Sequence, residues 1–298
     1  MRINYCLLLL LPVRGLVSNT AIRTAFKVVT ASQGVKWPTV LPTVRQKTLE
    51  DCPLYDPTVK FPEYYLRDFH AYDGGNLNPV AAVEVFAATE GVMAFHHPGK
   101  SGASANEYVR SVFNTHTRIE MDKYGETSQP TTLVDFGCGV GVSTNFLARQ
   151  FPSARAVYGI DLSPFYLDYA VRKSHKIVYI QRDVANTRLC SNTVDLVQIS
   201  FVMHELPLKA ATRVLSECHR ILKPGGVLAV LDMCPNIRAT NFFMQKLFDR
   251  TEPYMTDYRE FCKRRGTLLE GAGFELSRTI DDCNKAVMFF ARAKSDCL

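Results

Sequence analysis

Short apolar runs alternate with segments of helical spacing through the second half of the chain. Apolar runs bounded by turn residues are typical of buried strands, and apolar residues at every third or fourth position are typical of helices. The runs predict strands at 131–136, 155–160, 176–181, 194–200 and 226–232. The spaced segments predict helices at 142–150, 164–173, 208–221 and 236–249. Strands that alternate with helices form parallel sheets with right-handed crossovers, so we expect an α/β domain with a doubly wound sheet.

The end of the chain departs from this alternation. A predicted helix at 257–271 leads to two apolar runs, Gly273–Thr279 and Ala286–Ala291, with no helix between them. Strands joined without a crossover pair antiparallel. We therefore expect these two strands to form a hairpin after the fifth strand.

Two further segments of helical spacing, 79–95 and 105–124, precede the sheet. They follow an aromatic-rich stretch, Phe61–Asn76, so residues 61–125 are predicted to form a helical cap before the main domain at 126–298. The aromatic side chains of the stretch either close a pocket or anchor an arm on the core. Residues 37–60 are rich in Pro and polar residues, and we interpret them as a linker or an arm.

The first 36 residues have the features of a targeting leader. Cys6–Leu11 is an apolar run too short to span a bilayer, and no acidic residue precedes Glu50. Acid-poor sequence rich in Ser, Thr and basic residues is typical of transit peptides, and Phe26 is a candidate junction. We expect an organellar address, in the first place a plastid, with a mitochondrial or secretory leader as the alternatives. A disordered cytosolic N-terminus fits the run of leucines less well.

The net charge of +6 is concentrated outside the predicted domain. Seven basic residues precede Glu50, and the other 28 Lys and Arg residues are matched by 29 Asp and Glu. A protein that grips phosphates concentrates positive charge on its folded domain. The near-neutral remainder therefore argues against a nucleic-acid partner, and no later stretch is apolar enough to predict a membrane span.

The nine cysteines are scattered and include no C-x-x-C pair. This pattern predicts neither a disulfide framework nor a zinc site, and it favours a reducing compartment. His96 and His97 have no further residue at metal-ligand spacing. The sequence therefore predicts no metal ion.

Candidate chemistry begins at the end of the first strand of the sheet, where Asp135 is followed by Gly137, Gly139 and Gly141. Glycines just after a strand allow a sharp turn and a close approach of the backbone to a ligand. The amides at the start of the helix predicted at 142–150 point back at the same place. Strand, glycine turn and helix together predict the nucleotide-binding end of a doubly wound sheet.

A second acid supports a nucleoside site. The second strand ends in Asp161, about twenty residues after the glycine turn, where such folds place a carboxylate that accepts the ribose hydroxyls. Asp161 and Leu162 also precede Ser163 and Pro164, so a helix cap is the alternative interpretation. A dinucleotide fingerprint would need a small residue where Val142 stands, which disfavours a nicotinamide cofactor.

The spacing Asp135-x-Gly137-x-Gly139-x-Gly141 resembles the first motif of class I S-adenosylmethionine (SAM) methyltransferases. Three more stretches resemble later motifs of that family, in order: Gln181–Val184, Val194–Ser200 and Leu222–Leu228. The resemblance covers about 131–293, and a looser one to plant and cyanobacterial members of unassigned substrate begins near Phe61. In general likeness the chain is most similar to the group that contains quinone-biosynthesis methyltransferases.

The resemblance implies a Rossmann-like sheet, SAM as cofactor and methyl transfer to a small organic acceptor. It further implies that the cofactor is held at the following positions: Asp135, Gly137, Gly139 and Gly141 (methionine end), Asp161 and Leu162 (ribose), Asp183 and Val184 (adenine), and Ser200 and Phe201 (cofactor or acceptor side). For Asp183 a turn-capping role is the alternative. A non-catalytic SAM-binding assembly or interaction protein is the rival function, and a nicotinamide oxidoreductase is a distant third.

His204 follows the fourth strand and is the candidate catalytic residue. Its ordinary pKa lies near neutrality, which suits a general base. The alternative is that His204 orients the loop before the next helix through hydrogen bonds, because positioning alone suffices for many methyl transfers.

Overall fold

The computed structural model describes residues 18–97, 99–123, 131–172, 174, 176–235, 250–282 and 286–294. Its centre is a seven-stranded sheet in the order β3-β2-β1-β4-β5-β7-β6. The strands are β1 Thr132–Phe136, β2 Ala156–Asp161, β3 Val178–Gln181, β4 Val194–Ser200, β5 Leu222–Met233, β6 Phe274–Asp282 and β7 Ala286–Ala293. Strands β1 to β5 are parallel, and β7 pairs antiparallel with both β5 and β6. The predicted parallel sheet and terminal hairpin are confirmed.

The described α-helices are α1 Asn19–Ala31, α2 Pro42–Arg45, α3 Pro79–His96, α4 Gly102–Asp122, α5 Val142–Gln150, α6 Pro164–Val171, α7 Leu208–Ile221 and α8 Met255–Gly271. The predicted helices before, within and after the sheet are confirmed: α5 and α7 match at both ends, and no end of the others differs by more than three residues. The helix predicted at 236–249 lies outside the described residues. No helix in the described part of the chain is long and apolar enough to cross a membrane.

Apolar residues on both faces of β1 explain why the sheet is covered on both sides. Val134 and Phe136 belong to one core cluster, together with side chains of α7 and α8, whereas Leu133 belongs to a second cluster with α5 and α6. All three are completely buried. Successive side chains of a strand point to opposite faces, so a continuous apolar run demands helices on each face.

The fold begins before the boundary of the predicted leader at residue 36. Helix α1 is capped by Ser18, whose hydroxyl accepts a hydrogen bond from the Ala21 amide at 3.2 Å. Lys27 of α1 forms an ion pair with the buried Glu84 of α3, and Trp37 Nε1 donates to Thr30 Oγ1 at 2.9 Å. Helix α1 is therefore part of the cap.

Residues 37–60 pack as an arm along the domain. Lys47 Nζ lies 2.5 Å from Asp168 Oδ2 on α6, and Arg182 Nη1 lies 2.6 Å from Asp56 Oδ2. Cys52 is 4% exposed and belongs to a core cluster with residues of α3 and α6. These contacts tie residues 47, 52 and 56 to the main domain.

Candidate active site

A cavity of about 280 Å³ lies at the carboxyl ends of the parallel strands. Its floor includes the glycine turn after β1, Asp161 at the end of β2 and Ser200 at the end of β4. Its opposite wall comes from α1, the 37–60 stretch, the aromatic-rich stretch and α3, through Ile22, Phe26, Trp37, Tyr64, Tyr65, Phe69, Tyr72, Val85 and Val92. Ligands collect at this edge of open α/β sheets. The aromatic side chains of the cap thus close a pocket, the first of their two interpretations.

The glycine turn brings backbone close to the cavity. Gly137 has a φ of +66°, and a Cβ at this position would lie 2.3 Å from Val202 Cγ2. Gly139 has a φ of +53°, and a Cβ there would have no neighbour closer than 3.9 Å. Both line the cavity. Position 137 therefore requires glycine, because a side chain there would clash with Val202 and the φ is positive. At Gly139 the backbone faces the open space of the cavity.

Asp135 lies beneath the turn instead of in the cavity wall. Its side chain is completely buried and accepts hydrogen bonds from Ser143 Oγ at 2.7 Å and Thr144 Oγ1 at 2.6 Å. Burial raises the pKa of Asp135, and the two hydroxyls oppose that shift. Asp135, which was predicted at the methionine end of the cofactor, is thus held by the start of α5 and is not exposed to the cavity. Gly141, the residue before α5, is also outside the cavity wall.

Asp161 lines the cavity at the end of β2 and is 7% exposed. Its Oδ2 accepts from the Gly139 amide and its Oδ1 from the Ser163 amide, each at 2.8 Å. Burial raises the pKa of Asp161 to about 6, although the two amides lower it. Asp161 therefore binds the amide of the residue before α6, and its carboxylate also faces the cavity where a ribose is predicted. Leu162 lines the cavity beside it.

Of the predicted adenine-contacting residues, Val184 lines the cavity and Asp183 does not. Asp183 Oδ1 accepts from the Ala185 amide at 2.8 Å, which is the turn-capping contact of the alternative interpretation. Ser200 and Phe201 both line the cavity, as predicted from their place at the end of β4.

Arg110 on α4 lines the cavity and was missed by the sequence reasoning. It is 7% exposed, its Nε donates to Asn106 Oδ1 at 3.0 Å, and its guanidinium lies 5.4 Å from the centre of the Phe201 ring. Arg110 Nη1 and Ser200 Oγ are both buried without a hydrogen-bond partner among the described residues. Burial lowers the pKa of Arg110 to about 10, which leaves the group cationic at neutral pH. A buried cation with an unused donor at a cavity wall is suited to a ligand carboxylate.

His204 lines the cavity and is paired with a buried acid that the sequence analysis also missed. His204 Nδ1 lies 2.7 Å from Oδ1 of Asp232, which is at the end of β5 and completely buried. Asp232 Oδ2 also accepts from the His204 backbone amide at 3.2 Å. Burial lowers the pKa of His204, but Asp232 and two nearby glutamates outweigh it and raise the pKa to about 9.

A second histidine, His70, lies between two carboxylates on the same side of the cavity. Its Nδ1 is 2.8 Å from Glu252 Oε1 and its Nε2 is 2.9 Å from Glu205 Oε1. Burial lowers the pKa of His70, and Glu252 and Glu205 together raise it well above its ordinary value. Asn76 Nδ2 donates to Glu205 Oε2 at 2.8 Å. These contacts join positions more than 120 residues apart in sequence, so no local sequence pattern predicts them.

Comparison with known proteins decides the family. The family profile described as a methyltransferase domain matches residues 133–226. An uncharacterised methyltransferase of Synechocystis is 30% identical over 149 residues, which are 49% of this chain and 68% of that protein. The chain belongs to the class I SAM-dependent methyltransferases.

Other relatives of this methyltransferase differ in their acceptors. The 2-phytyl-1,4-naphtoquinone methyltransferase of Nostoc punctiforme is 32% identical over 116 residues, 37% of this chain and 50% of that one. The tRNA N(3)-methylcytidine methyltransferase of Schizosaccharomyces pombe is 26% identical over 178 residues, 53% of this chain and 69% of that one. A solved structure from Galdieria sulphuraria, assigned as a sarcosine dimethylglycine methyltransferase, superposes with a TM-score of 0.51 at 15% sequence identity. The match spans 66% of this chain and 89% of that one, and it confirms the fold.

The cofactor of the family is SAM, and the residues of the cavity fit it. The bare backbone of the glycine turn, the Asp161 carboxylate and the unpartnered Arg110 Nη1 line one continuous cavity. They match a ligand that carries a ribose diol and a carboxylate. The residues that line this cavity are therefore chemically compatible with the cofactor of the family.

Proposed function

We propose that this methyltransferase transfers a methyl group to a small organic molecule bound in the cavity, by direct in-line displacement. The observation that carries the proposal is the closure of the cavity by the cap. Ile22, Phe26 and Trp37 reach it from the first helix and the arm, and Phe69 and Tyr72 from the aromatic-rich stretch. A pocket walled in this way by apolar side chains fits a small molecule and excludes water from the reacting centre.

In this proposal the floor of the cavity holds the cofactor. Gly137 and Gly139 give backbone access, Asp161 accepts the ribose hydroxyls, and Leu162 and Val184 pack against the adenine. Arg110 and Ser200 bind the carboxylate of the methionine part, which satisfies their buried donors. SAM supplies an already activated methyl group, so the chain itself has to position the acceptor and to manage its proton.

The polar cluster at the cavity wall is the proposed acceptor side. His204 is held by Asp232 at Nδ1, which leaves Nε2 as the ring nitrogen that can serve an acceptor. Because Asp232 raises the pKa of His204, the ring must first lose its proton before it can act as a base at neutral pH. His204 can therefore act as a base only if the occupant of the cavity favours loss of that proton. If His204 instead orients the loop, its contact with Asp232 is explained without any role in catalysis.

A tRNA acceptor is the competing possibility, since one relative is a tRNA methyltransferase. The near-neutral charge beyond residue 49 favours the small molecule. The deciding experiment incubates the full chain with methyl-labelled SAM and, separately, a low-molecular-mass metabolite extract, total tRNA and a protein extract. Label in the small-molecule fraction alone supports the proposal, and label in tRNA or protein refutes it. No transfer to any fraction, with SAM bound, favours the non-catalytic alternative.

We further propose an organellar location, in the first place a plastid, on the strength of the acid-free leader. Ser18 caps α1, and Ile22 and Phe26 of α1 line the cavity, so processing that keeps both the capped helix and the cavity intact removes residues before Ser18 only. Imaging of the tagged full-length chain tests the location, and an entirely cytosolic signal refutes it.

A further inference from the structure

We propose that His70, His204 and Glu205 form a binding site for one divalent transition-metal ion in the wall of the cavity. One ligand atom from each of the three residues lies within 4.8 Å of the other two. His204 and Glu205 follow β4, and His70 comes from the cap, so the site exists only where cap and sheet meet. The sequence analysis predicted no metal, because the third ligand is 134 or more positions away along the chain.

The orientation of the two imidazoles is the first argument. Each Nδ1 is engaged by a carboxylate that is not itself one of the three ligands: Asp232 for His204 at 2.7 Å and Glu252 for His70 at 2.8 Å. Both carboxylates are at least 97% buried. A carboxylate on one ring nitrogen fixes the tautomer and directs the other nitrogen to the metal, an arrangement typical of metal-binding histidines. Two histidines of one cluster share it here.

The position of Glu205 is the second argument. Its Oε1 lies 2.9 Å from His70 Nε2, while Asn76 holds its Oε2 at 2.8 Å. Two ligand atoms that are each about 2.1 Å from an ion are about 3 Å apart at octahedral angles and about 3.4 Å apart at the tetrahedral angles of zinc. The spacing of Glu205 and His70 already matches such a pair. The 4.8 Å limit for the whole set means that binding draws the third ligand in by about 1–2 Å, within the reach of side-chain rotation.

The ligand types select the metal. Two imidazole nitrogens and one carboxylate suit Zn²⁺, Fe²⁺, Co²⁺ or Mn²⁺, whereas Mg²⁺ and Ca²⁺ prefer oxygen alone. Three protein ligands leave coordination positions open, and all three residues line the cavity. An ion bound here would therefore present its open positions to the contents of the cavity.

If the acceptor is the small molecule of the proposed function, these open positions select one with an oxygen donor, such as a hydroxyl or a carboxylate. That use of the ion rests on the proposed function, but the metal site does not. With the ion bound, Nε2 of His204 is a metal ligand, so a base role for His204 belongs only to the protein without metal. The competing account is a cluster without metal, in which a charged His70 bridges Glu205 and Glu252 directly and nothing else is needed.

The test is a titration of the metal-stripped full chain with Co²⁺, followed by absorption, with neither SAM nor acceptor present. Co²⁺ also distinguishes nitrogen and oxygen ligands from thiolates, which matters in a chain with nine cysteines. We expect one equivalent per chain with a nitrogen–oxygen spectrum, competition by Zn²⁺ and none by Mg²⁺. His70→Gln, His204→Gln and Glu205→Gln should each weaken binding at least tenfold. His116→Gln, a histidine of α4 outside the cavity wall, should bind like the parent chain.

The variant Asp232→Asn keeps all three ligands and removes only the carboxylate that holds His204. Loss of such a carboxylate should weaken metal binding about 10- to 100-fold. The parent chain should also gain thermal stability with Co²⁺, and this shift does not depend on how well any variant folds. Three results would each overturn the metal site. They are no binding of Co²⁺ to the parent chain, a thiolate spectrum, and ligand variants that bind Co²⁺ as tightly as the parent chain does. Because SAM is absent, none of these results bears on methyl transfer.

Discussion

His204 Nδ1 and Asp232 Oδ1 lie 2.7 Å apart and connect the carboxyl ends of β4 and β5. The two strands are neighbours in the parallel sheet, so their carboxyl ends lie side by side and the two side chains come into contact. Asp232 is completely buried, and a buried carboxylate requires a partner, which His204 supplies through its ring and its backbone amide. The pair sets both the orientation and the charge of the imidazole at the cavity wall.

Replacing His204 with Ala should lower turnover by about 100-fold or more and leave the affinity for SAM within about twofold, because the ring lies on the proposed acceptor side. Turnover with labelled SAM and calorimetric titration measure the two effects separately. A variant that loses SAM binding or unfolds would show that His204 is structural, and His116→Ala is the matched control outside the cavity.

Replacing Asp161 with Ala should weaken SAM binding about 10- to 100-fold. The ribose diol then loses a charged acceptor worth ~1.5–3 kcal/mol. The control is Asp195→Ala, since Asp195 binds Thr131 and Lys223 at the opposite ends of the strands and has no contact with the cavity. Unchanged SAM affinity in a folded Asp161→Ala chain would refute the assignment.

The binding of SAM should also depend on pH through Asp161, whose pKa burial raises to about 6. Above that pH the carboxylate is charged and accepts hydrogen bonds, and below it the affinity should fall up to tenfold per pH unit. The same shift means that this group's contribution to the free energy of unfolding decreases as pH rises from about 4 to 6. Calorimetry between pH 5 and 8 tests this, and Asp161→Ala should show a flatter profile; equal pH dependence in both chains would contradict it.

Replacing Arg110 with Met should weaken S-adenosylhomocysteine binding about tenfold or more, because a charge-assisted hydrogen bond to the ligand carboxylate is lost. Methylthioadenosine has no carboxylate, so its affinity should be the same for both chains. Competition binding with the two ligands measures the difference. If both ligands lose affinity equally, Arg110 shapes the cavity instead of binding the carboxylate.

The mature N-terminus is the fourth site of interest, because α1 contributes side chains to the cavity wall. N-terminal sequencing of the protein from its native compartment should find a first residue no later than Ser18. A mature chain that begins after Phe26 would lack Ile22 and Arg23 and would contradict the role given to α1.

The sheet and its flanking helices were predictable because apolar periodicity is a local signal, and each strand of the parallel sheet is a compact run such as Leu133–Phe136. The glycine turn and Asp161 were predictable for the same reason, since their spacing is fixed by one strand–turn–helix unit. The acidic partners of the histidines were not. His70 and Glu252 are 182 positions apart and meet only because the cap folds over the sheet.

Helix α1 and Arg110 show two other limits. The basic, acid-free composition before Glu50 favours a targeting leader. In the structure, part of this segment is an amphipathic helix whose buried residues include Ile22 and Val29. An arginine is ordinarily exposed, so its place in the sequence does not predict a buried cation. In the structure Arg110 of α4 lies beside the Phe201 ring and is 7% exposed.

The most direct test of the account is calorimetric titration of the full chain with S-adenosylhomocysteine and with NADH. We expect one molecule of S-adenosylhomocysteine to bind per chain, no heat with NADH, and loss of binding in Gly139→Val, where a side chain would fill the space above the turn. Binding of NADH, or S-adenosylhomocysteine binding that Gly139→Val leaves intact, would contradict the placement of the cofactor in this cavity.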